Sequence, residues 1–188
     1  MIANLNDVLL PARKNKYAVG LFNAVNMEMG RGIIRAAEEM QIPVIVGTAE
    51  VLLPYGPLDE VAWFLVPLAQ KAKVPVVIHY DHGLTFEKCI QALKLGFSSI
   101  MYDCSTDTYE ENVRKVKELT YIAHQFGATV EGELGHVGDN EGSAEGKNHL
   151  EDPTAFYTDP EQARDYVDRT GVDALAIAVG TAHGAYKL

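Results

Sequence analysis

The sequence predicts an α/β fold built on a parallel β-sheet, and two regularities support this prediction. Short apolar runs alternate with segments in which apolar residues recur at helical spacing, in units of roughly 30 residues. Most of the apolar runs are continuous, which indicates strands buried on both faces, as in a parallel sheet covered by helices. Repeated βα units of this kind are typical of a (β/α)8 barrel or of a doubly wound sheet.

The apolar runs predict six strands. Each run has the length of a short buried strand, and every run but the last precedes a segment with helical periodicity. The predicted strands cover residues 17–23, 43–46, 74–78, 98–102, 128–134 and 174–179.

Five helices are predicted between and after these strands. Pro67 lies inside the second helix, where we expect a kink, and Thr85 is expected to cap the third. The last helix has the strongest start, with Asp159 as its N-cap and Pro160 at its first position. The predicted helices cover residues 33–40, 58–72, 85–96, 109–127 and 159–171.

Composition limits the possible partners and the cellular location. The 188 residues include 16 Lys and Arg and 26 Asp and Glu, a net charge of −10 that argues against binding to nucleic acid or to an anionic membrane. No apolar run reaches the roughly 18 residues that span a bilayer, and the start does not resemble a signal peptide. The two cysteines are too few for a disulfide framework. We expect one domain over residues 1–188, located in the cytoplasm.

One predicted connection is unusually long. Residues 135–158 show no apolar periodicity and contain four glycines and several acidic residues. Most βα loops have about 2–6 residues, and much longer ones are usually functional or disordered. Two interpretations remain open: a solvated acidic excursion, or a mobile lid over an active site.

Chemically active side chains follow four consecutive predicted strands. In a barrel, the catalytic groups lie at the carboxyl ends of the strands. The predicted turns at the opposite rim contain no histidine or carboxylate. Histidines combined with carboxylates suit a divalent metal, above all Zn²⁺, in an open site. The residues concerned are Asp81, His82, Asp103, Glu131, Glu133 and His183.

Several of these positions have a less specific interpretation. His79 shares a strand face with Asp81, and we expect it to orient that carboxylate and not to bind metal. A turn at Gly83 is expected to bring both Asp81 and His82 to the site. Cys104 has no evident base partner and is expected to be a small buried residue, not a nucleophile.

With these residues assembled, the whole chain resembles the class II, metal-dependent aldolases of fructose or tagatose bisphosphate. The resemblance implies a (β/α)8 TIM barrel, of which about six βα units are present. It also implies reversible cleavage of a ketose 1,6-bisphosphate into dihydroxyacetone phosphate and glyceraldehyde 3-phosphate. The segments that carry it are Val77-Ile-His-Tyr-Asp-His-Gly83, Asp103-Cys-Ser105, Val130-Glu-Gly-Glu-Leu-Gly135 and Gly180-Thr-Ala-His-Gly-Ala-Tyr-Lys187.

The resemblance assigns metal ligands to this sequence. His82 and His183 match the zinc histidines, and Asp103 and Glu133 match positions that hold a second or alternative cation in some members. The implied cofactor is therefore Zn²⁺, with a second divalent or a monovalent cation as a further possibility.

The resemblance also implies roles in catalysis and in substrate binding. Asp81 matches the general acid and base, and Glu141 matches a mobile glutamate that transfers a proton. Asn26 and Gly184 match substrate-contacting positions, and Lys187 offers a cation to a phosphate beside Gly184. The expected partner is a phosphorylated ketose, bound by a homodimer or homotetramer.

The sequence departs from the family pattern in two respects. Ala49 and Asp139 replace residue types that are common there, which leaves the choice between fructose and tagatose open. The chain stops at Leu188, before the seventh and eighth strands, the third zinc histidine and the second phosphate-binding segment. A barrel of this type typically needs about 250 residues, so we expect this chain to be part of a longer aldolase.

Two other functions remain as alternatives. A metal-dependent hydrolase could use the same barrel, because fold alone does not determine function. The chain could instead be a catalytically incomplete fragment that serves as a scaffold or as one part of an assembly.

Overall fold

The computed structural model describes residues 1–135, 137 and 157–181, and these residues form seven parallel strands in one sheet. Six strands follow the order β2-β3-β4-β5-β6-β7, and the short β1 pairs with the start of β4. The strands are β1 (Ile2–Ala3), β2 (Leu21–Asn23), β3 (Val44–Ala49), β4 (Val76–Gly83), β5 (Ser99–Tyr102), β6 (Thr129–Leu134) and β7 (Ala174–Ile177).

Helices connect the strands in alternation, as a sheet made of βα units requires. Consecutive strands from β2 to β7 are neighbours in the sheet, so each helix crosses over to the adjacent parallel strand. The helices are α1 (Leu5–Asn15), α2 (Met27–Met40), α3 (Leu58–Lys71), α4 (Phe86–Leu95), α5 (Tyr109–Gln125) and α6 (Pro160–Thr170), and Glu50–Leu52 forms one 3₁₀ turn after β3.

All six predicted strands and five predicted helices are present, and the structure adds β1 and α1. The helix α1 begins with a capping box, in which the Asn4 side chain accepts from the Asp7 backbone and the Asp7 side chain accepts from Asn4. Pro11 lies inside α1, where a proline normally argues against a helix. The structure therefore shows that the cap and the buried face of α1 outweigh this penalty.

The predicted caps have different outcomes. Asp159 caps α6 as expected, because its side chain accepts from the backbone N–H groups of Glu161 and Gln162. Thr85 lies at the N-cap position of α4, but its side chain makes no capping hydrogen bond. Its hydroxyl donates instead to Glu50, at 3.1 Å. Thr85 therefore has the predicted N-cap position, but the side-chain capping bond expected there is absent.

The central strands β3 to β6 are buried on both faces, which explains their continuous apolar runs. On the outer face, residues such as Val46 and Ile78 pack in the main core beneath the helices. On the inner face, Ile45 and Val77 pack against Leu5 and Val8 of α1. The helix α1 therefore covers the amino-terminal end of the inner face. Within the part of the chain described here, no helix is long and apolar enough to cross a membrane.

Candidate metal centre and active site

The carboxyl ends of three adjacent strands bring together the residues that the sequence indicated. Asp81 and His82 lie near the end of β4, Asp103 follows β5 directly, and Glu133 lies near the end of β6. These strands are neighbours in a parallel sheet, so their carboxyl ends share one edge. Glu131 lies on β6, two residues before Glu133. The predicted convergence of these side chains at one rim is therefore present.

The backbone of β4 is irregular where it carries the site. The pairing with β5 changes register between Tyr80 and Gly83, and His82 has a φ of 42°. This left-handed conformation is uncommon for a residue other than glycine and costs of order 1–3 kcal/mol. The turn that presents both Asp81 and His82 lies at His82 itself, so the prediction that it lies at Gly83 is wrong.

Gly83 is needed at this position because of space. A Cβ atom there would lie 2.6 Å from Cys89 Sγ and 2.8 Å from the backbone oxygen of Met101. Both distances are too short for a carbon atom, so the end of β4 fits closely against α4 and β5. This close packing holds the irregular segment in place.

Three side chains form a candidate metal centre. One ligand atom each from His82, Asp103 and Glu133 lies within 4.8 Å of the others. His82 Nδ1 is 2.9 Å from Asp103 Oδ2 and 4.0 Å from Glu133 Oε2. The Glu133 side chain is 3% exposed, so water competes only weakly with a metal ion for its carboxylate. One imidazole nitrogen and two carboxylate oxygens are a donor set that suits Zn²⁺ and similar divalent cations.

The charges in this cluster stabilise each other. The hydrogen bond to Asp103, reinforced by Asp81 and Glu133, raises the pKa of His82 to about 9 against the opposing effect of burial. Burial alone would raise the pKa of Asp103, but hydrogen bonds from His82 and Ser105 lower it to about 2. At neutral pH the metal-free cluster therefore holds a protonated imidazole among carboxylates, so a positive charge already lies where a cation would bind.

Glu133 is fixed by the layer of residues behind it. The Asn112 side chain donates to the Glu133 backbone oxygen at 2.9 Å, and Tyr166 Oη donates to Asn112 Oδ1 at 2.7 Å. Asn112 and Tyr166 are both buried. Gly132 makes room for this ring, because a Cβ there would lie 2.7 Å from Tyr166 Oη. Helices α5 and α6 therefore hold the strand that presents Glu133.

Asp81 lies beside the cluster and has a partner that the sequence did not suggest. Its Oδ1 atom is 4.0 Å from His82 Nε2, and its Oδ2 atom accepts a hydrogen bond from Asn23 Nδ2 at 2.8 Å. Asn23 ends β2, two strands away from β4. Asn26, which was predicted to bind substrate, is the N-cap of α2, and its side chain accepts from the Met29 backbone.

His79 has partners other than the one expected. Its Nδ1 atom is 2.8 Å from Ser99 Oγ, and its Nε2 atom is 3.6 Å from Glu131 Oε2. Burial lowers the pKa of His79 to about 4, so this imidazole is neutral. Burial also raises the pKa of Glu131 to about 7, with further contributions from Asp81 and Glu133. His79 therefore contacts Ser99 and Glu131 in the interior and is not held against Asp81 by a hydrogen bond.

Other predicted residues have separate outcomes. Cys104 is buried, as expected, and burial raises the pKa of its thiol to about 12, which argues against a nucleophile. Glu141, His183, Gly184 and Lys187 lie outside the described residues, as does most of the long connection, so their roles stay predictions.

Fold and site together define a protein of the (β/α) barrel type, with a candidate divalent-metal centre at the carboxyl ends of its strands. The sequence profile described as fructose-bisphosphate aldolase class-II matches residues 3–188. The chain therefore belongs to the class II fructose-bisphosphate aldolase family, and the predicted resemblance is confirmed.

Individual relatives agree with this assignment. The chain is 44% identical to the fructose-bisphosphate aldolase of Thermus caldophilus over 96% of this chain and 58% of that protein. It is 41% identical to the fructose-bisphosphate aldolase of Geobacillus stearothermophilus over 99% of this chain and 64% of that protein. The chain thus spans less than two thirds of the length of these relatives.

A solved structure confirms the fold class. The crystal structure of the YdjI aldolase from Escherichia coli K12 superimposes with a TM-score of 0.85 at 37% sequence identity. The match covers 97% of this chain and 64% of that one. The described sheet and helices are therefore part of a TIM barrel, as the sequence predicted.

Proposed function

We propose that the protein containing this chain is a zinc-dependent class II aldolase. It would reversibly cleave a ketose 1,6-bisphosphate into dihydroxyacetone phosphate and glyceraldehyde 3-phosphate. The observation that supports this most directly is the cluster of His82, Asp103 and Glu133 with Asp81 beside it, in a chain of this family. The proposal also places the protein in the cytoplasm as a homodimer or homotetramer.

The residues of the cluster would supply ligands for the metal. His82, Asp103 and Glu133 would supply one nitrogen and two oxygen ligands, to one ion or shared with a second cation, and His183 would add a further nitrogen. Zn²⁺ bound there would act as a Lewis acid on the carbonyl group of the substrate. The proton on His82 must leave before this imidazole can bind a metal, because a metal ligand must be deprotonated.

Asp81 is the best candidate for proton transfer at the hydroxyl group. In cleavage its carboxylate would accept the hydroxyl proton as the carbon–carbon bond breaks and the aldehyde forms. In condensation the same carboxyl would return that proton to the aldehyde oxygen. The hydrogen bond from Asn23 holds one oxygen of Asp81, and the other oxygen remains directed toward His82. Glu141 would exchange the proton on the other product.

The proposal also assigns residues to substrate binding. Gly184 and Lys187 would contact one phosphate, and Asn26 would contribute from the loop between β2 and α2. Because this chain has a net charge of −10, local donors and cations of this kind would be needed to hold a bisphosphate. Fructose and tagatose bisphosphates differ in the configuration at one hydroxyl group. The assay of both sugars is therefore what distinguishes between these two substrates.

The test uses the full-length protein with both bisphosphates and a coupled assay for dihydroxyacetone phosphate. Cleavage should disappear after treatment with a chelator and return when Zn²⁺ is added. The variant His82→Ala should be inactive, whereas His124→Gln should retain activity. His124 lies near the end of α5 and pairs with Asp173 directly before β7, so it is at the amino ends of the strands and not at the rim that carries the cluster. Cleavage that resists chelation, or no cleavage of either sugar, contradicts the proposal.

A further inference from the structure

The carboxylate of Glu50, outside the candidate metal centre, accepts hydrogen bonds from residues on both sides of the segment Asp81-His82-Gly83. Glu50 follows β3 directly and is half-buried. The preceding residue, Ala49, pairs with Asp81 in the sheet, so Glu50 lies next to the point where β4 becomes irregular. Its carboxylate reaches across from one strand end to the next.

The four hydrogen bonds that the Glu50 carboxylate accepts all come from β4 and the loop that follows it. Its Oε2 atom accepts from Tyr80 Oη at 3.0 Å, from the Leu84 backbone at 2.7 Å and from the Thr85 backbone at 3.2 Å. Its Oε1 atom accepts from Thr85 Oγ1 at 3.1 Å. Tyr80 precedes Asp81 and Leu84 follows Gly83, so the bonded positions enclose the segment Asp81-His82-Gly83.

This segment needs support that the sheet does not supply. Between Tyr80 and Gly83 the regular pairing of β4 with β5 is interrupted, and His82 adopts a left-handed backbone conformation. On the β5 side the ladder resumes where the Asp103 backbone donates to the Gly83 oxygen at 2.9 Å. On the β3 side, the Glu50 carboxylate connects the end of β3 to this segment. Strained conformations persist only where the surrounding structure holds them.

We propose that Glu50 is a positioning residue that fixes the Asp81-His82 segment in the geometry required for metal binding and proton transfer. This inference rests on the proposed function, since it takes His82 as a metal ligand and Asp81 as the proton carrier. Glu50 acts through these two residues and has no contact with the reacting atoms. Residues that orient metal ligands typically change metal affinity or activity by about 10–100-fold when they are replaced.

A different role for Glu50 is electrostatic. A negative charge near the start of α4 stabilises the helix through its dipole, and this effect would need the charge but not the exact reach of the side chain. The two roles predict opposite results for two conservative substitutions. Glu50→Gln keeps the length and one acceptor oxygen but removes the charge. Glu50→Asp keeps the charge but is one methylene shorter.

The experiment compares these variants in the full-length protein. Metal affinity is measured by competition between the metal-free protein and a chelator, and the absorption bands of bound Co²⁺ report the ligand geometry. Hydrogen exchange of the metal-free protein at residues 81–85 reports the order of the segment. The matched control is Glu87→Gln and Glu87→Asp, since Glu87 is an exposed carboxylate in the first turn of α4.

Positioning predicts that Glu50→Asp lowers metal affinity by about 10–100-fold, changes the Co²⁺ bands and speeds exchange, with a larger effect on kcat than on KM. Glu50→Gln should have a metal affinity, Co²⁺ spectrum and exchange rate much closer to those of the unmodified protein. Both Glu87 variants should show the same values as the unmodified protein. If Glu50→Asp retains affinity and spectrum, or if Glu50→Gln is the more damaged variant, the proposal is wrong. If the unmodified protein cleaves neither bisphosphate, the proposed function fails, while the affinity and exchange data still decide the role of Glu50.

Discussion

Metal binding at His82 should release a proton, and the structure gives the size of the effect. Asp103, Asp81 and Glu133 raise the pKa of the His82 imidazole to about 9 in the metal-free protein. At pH 7 only about 1% of this imidazole would be neutral, compared with about 75% for an imidazole at its ordinary pKa of 6.5. Because only the neutral form can bind a metal, the proton lowers the apparent metal affinity at pH 7 by roughly 100-fold relative to high pH.

The apparent metal affinity should increase with pH, because a higher pH removes the proton that competes with the metal at His82. The apparent affinity should rise about tenfold for each pH unit between pH 7 and 8.5 and level off above the pKa of His82, near 9. Calorimetric titration of the metal-free protein with Co²⁺, in two buffers of different ionisation enthalpy, counts the released protons. We expect close to one proton per metal ion at pH 7.5.

Two variants separate His82 from its neighbours. Asp103→Asn removes the largest cause of the raised pKa, so the affinity should become nearly independent of pH above 7, at a lower overall value. Glu87→Gln serves as the control, because Glu87 is an exposed carboxylate in the first turn of α4, and its loss should leave the slope above pH 7.5 unchanged. An affinity that stays flat from pH 7 to 8.5 in the unmodified protein, with no proton released, refutes this reasoning.

Three further predictions concern catalysis and packing. Asp81→Asn should lower kcat by about 10²–10⁴-fold at saturating metal concentration, and an unchanged kcat contradicts the proton-transfer role. Tyr166→Phe leaves Asn112 Oδ1 without its buried donor, so denaturant unfolding should show a loss of about 1–3 kcal/mol, and equal stability would show that this bond contributes nothing. Gly47→Ala would place a Cβ 2.2 Å from a backbone oxygen of β4 and should lower the melting temperature strongly. The control Gly32→Ala has open space on α2 and should stabilise by about 0.5–1 kcal/mol, so similar effects of both would refute the packing argument.

The parallel sheet and the convergence of His82, Asp103 and Glu133 could be predicted because they follow from local rules. Buried parallel strands appear as continuous apolar runs, and parallel strands place their carboxyl ends at one edge. The short β1 and the helix α1 were missed although part of their signal is visible. Asn4 and Asp7 form a capping box in the sequence, but Pro11 obscures the helix that follows.

The individual partners in the site could not be predicted, because they join different strands. Asn23 reaches Asp81 across 58 positions of the chain, and His79 meets Ser99 across 20. Such pairings depend on side-chain direction and strand stagger, which a single sequence does not encode locally. The location of the turn at His82 is a similar case, because glycine at position 83 is the more usual candidate for a left-handed residue.

The candidate ligands His82, Asp103 and Glu133 come from three consecutive βα units, and this has a consequence for biosynthesis. The first pair is separated by only 21 positions, and the third ligand follows in the next unit. Contacts between residues close in sequence form early, and a chain folds from its amino terminus as it is made. All three candidate ligands are therefore present in the growing chain before the strand β7 has been synthesised.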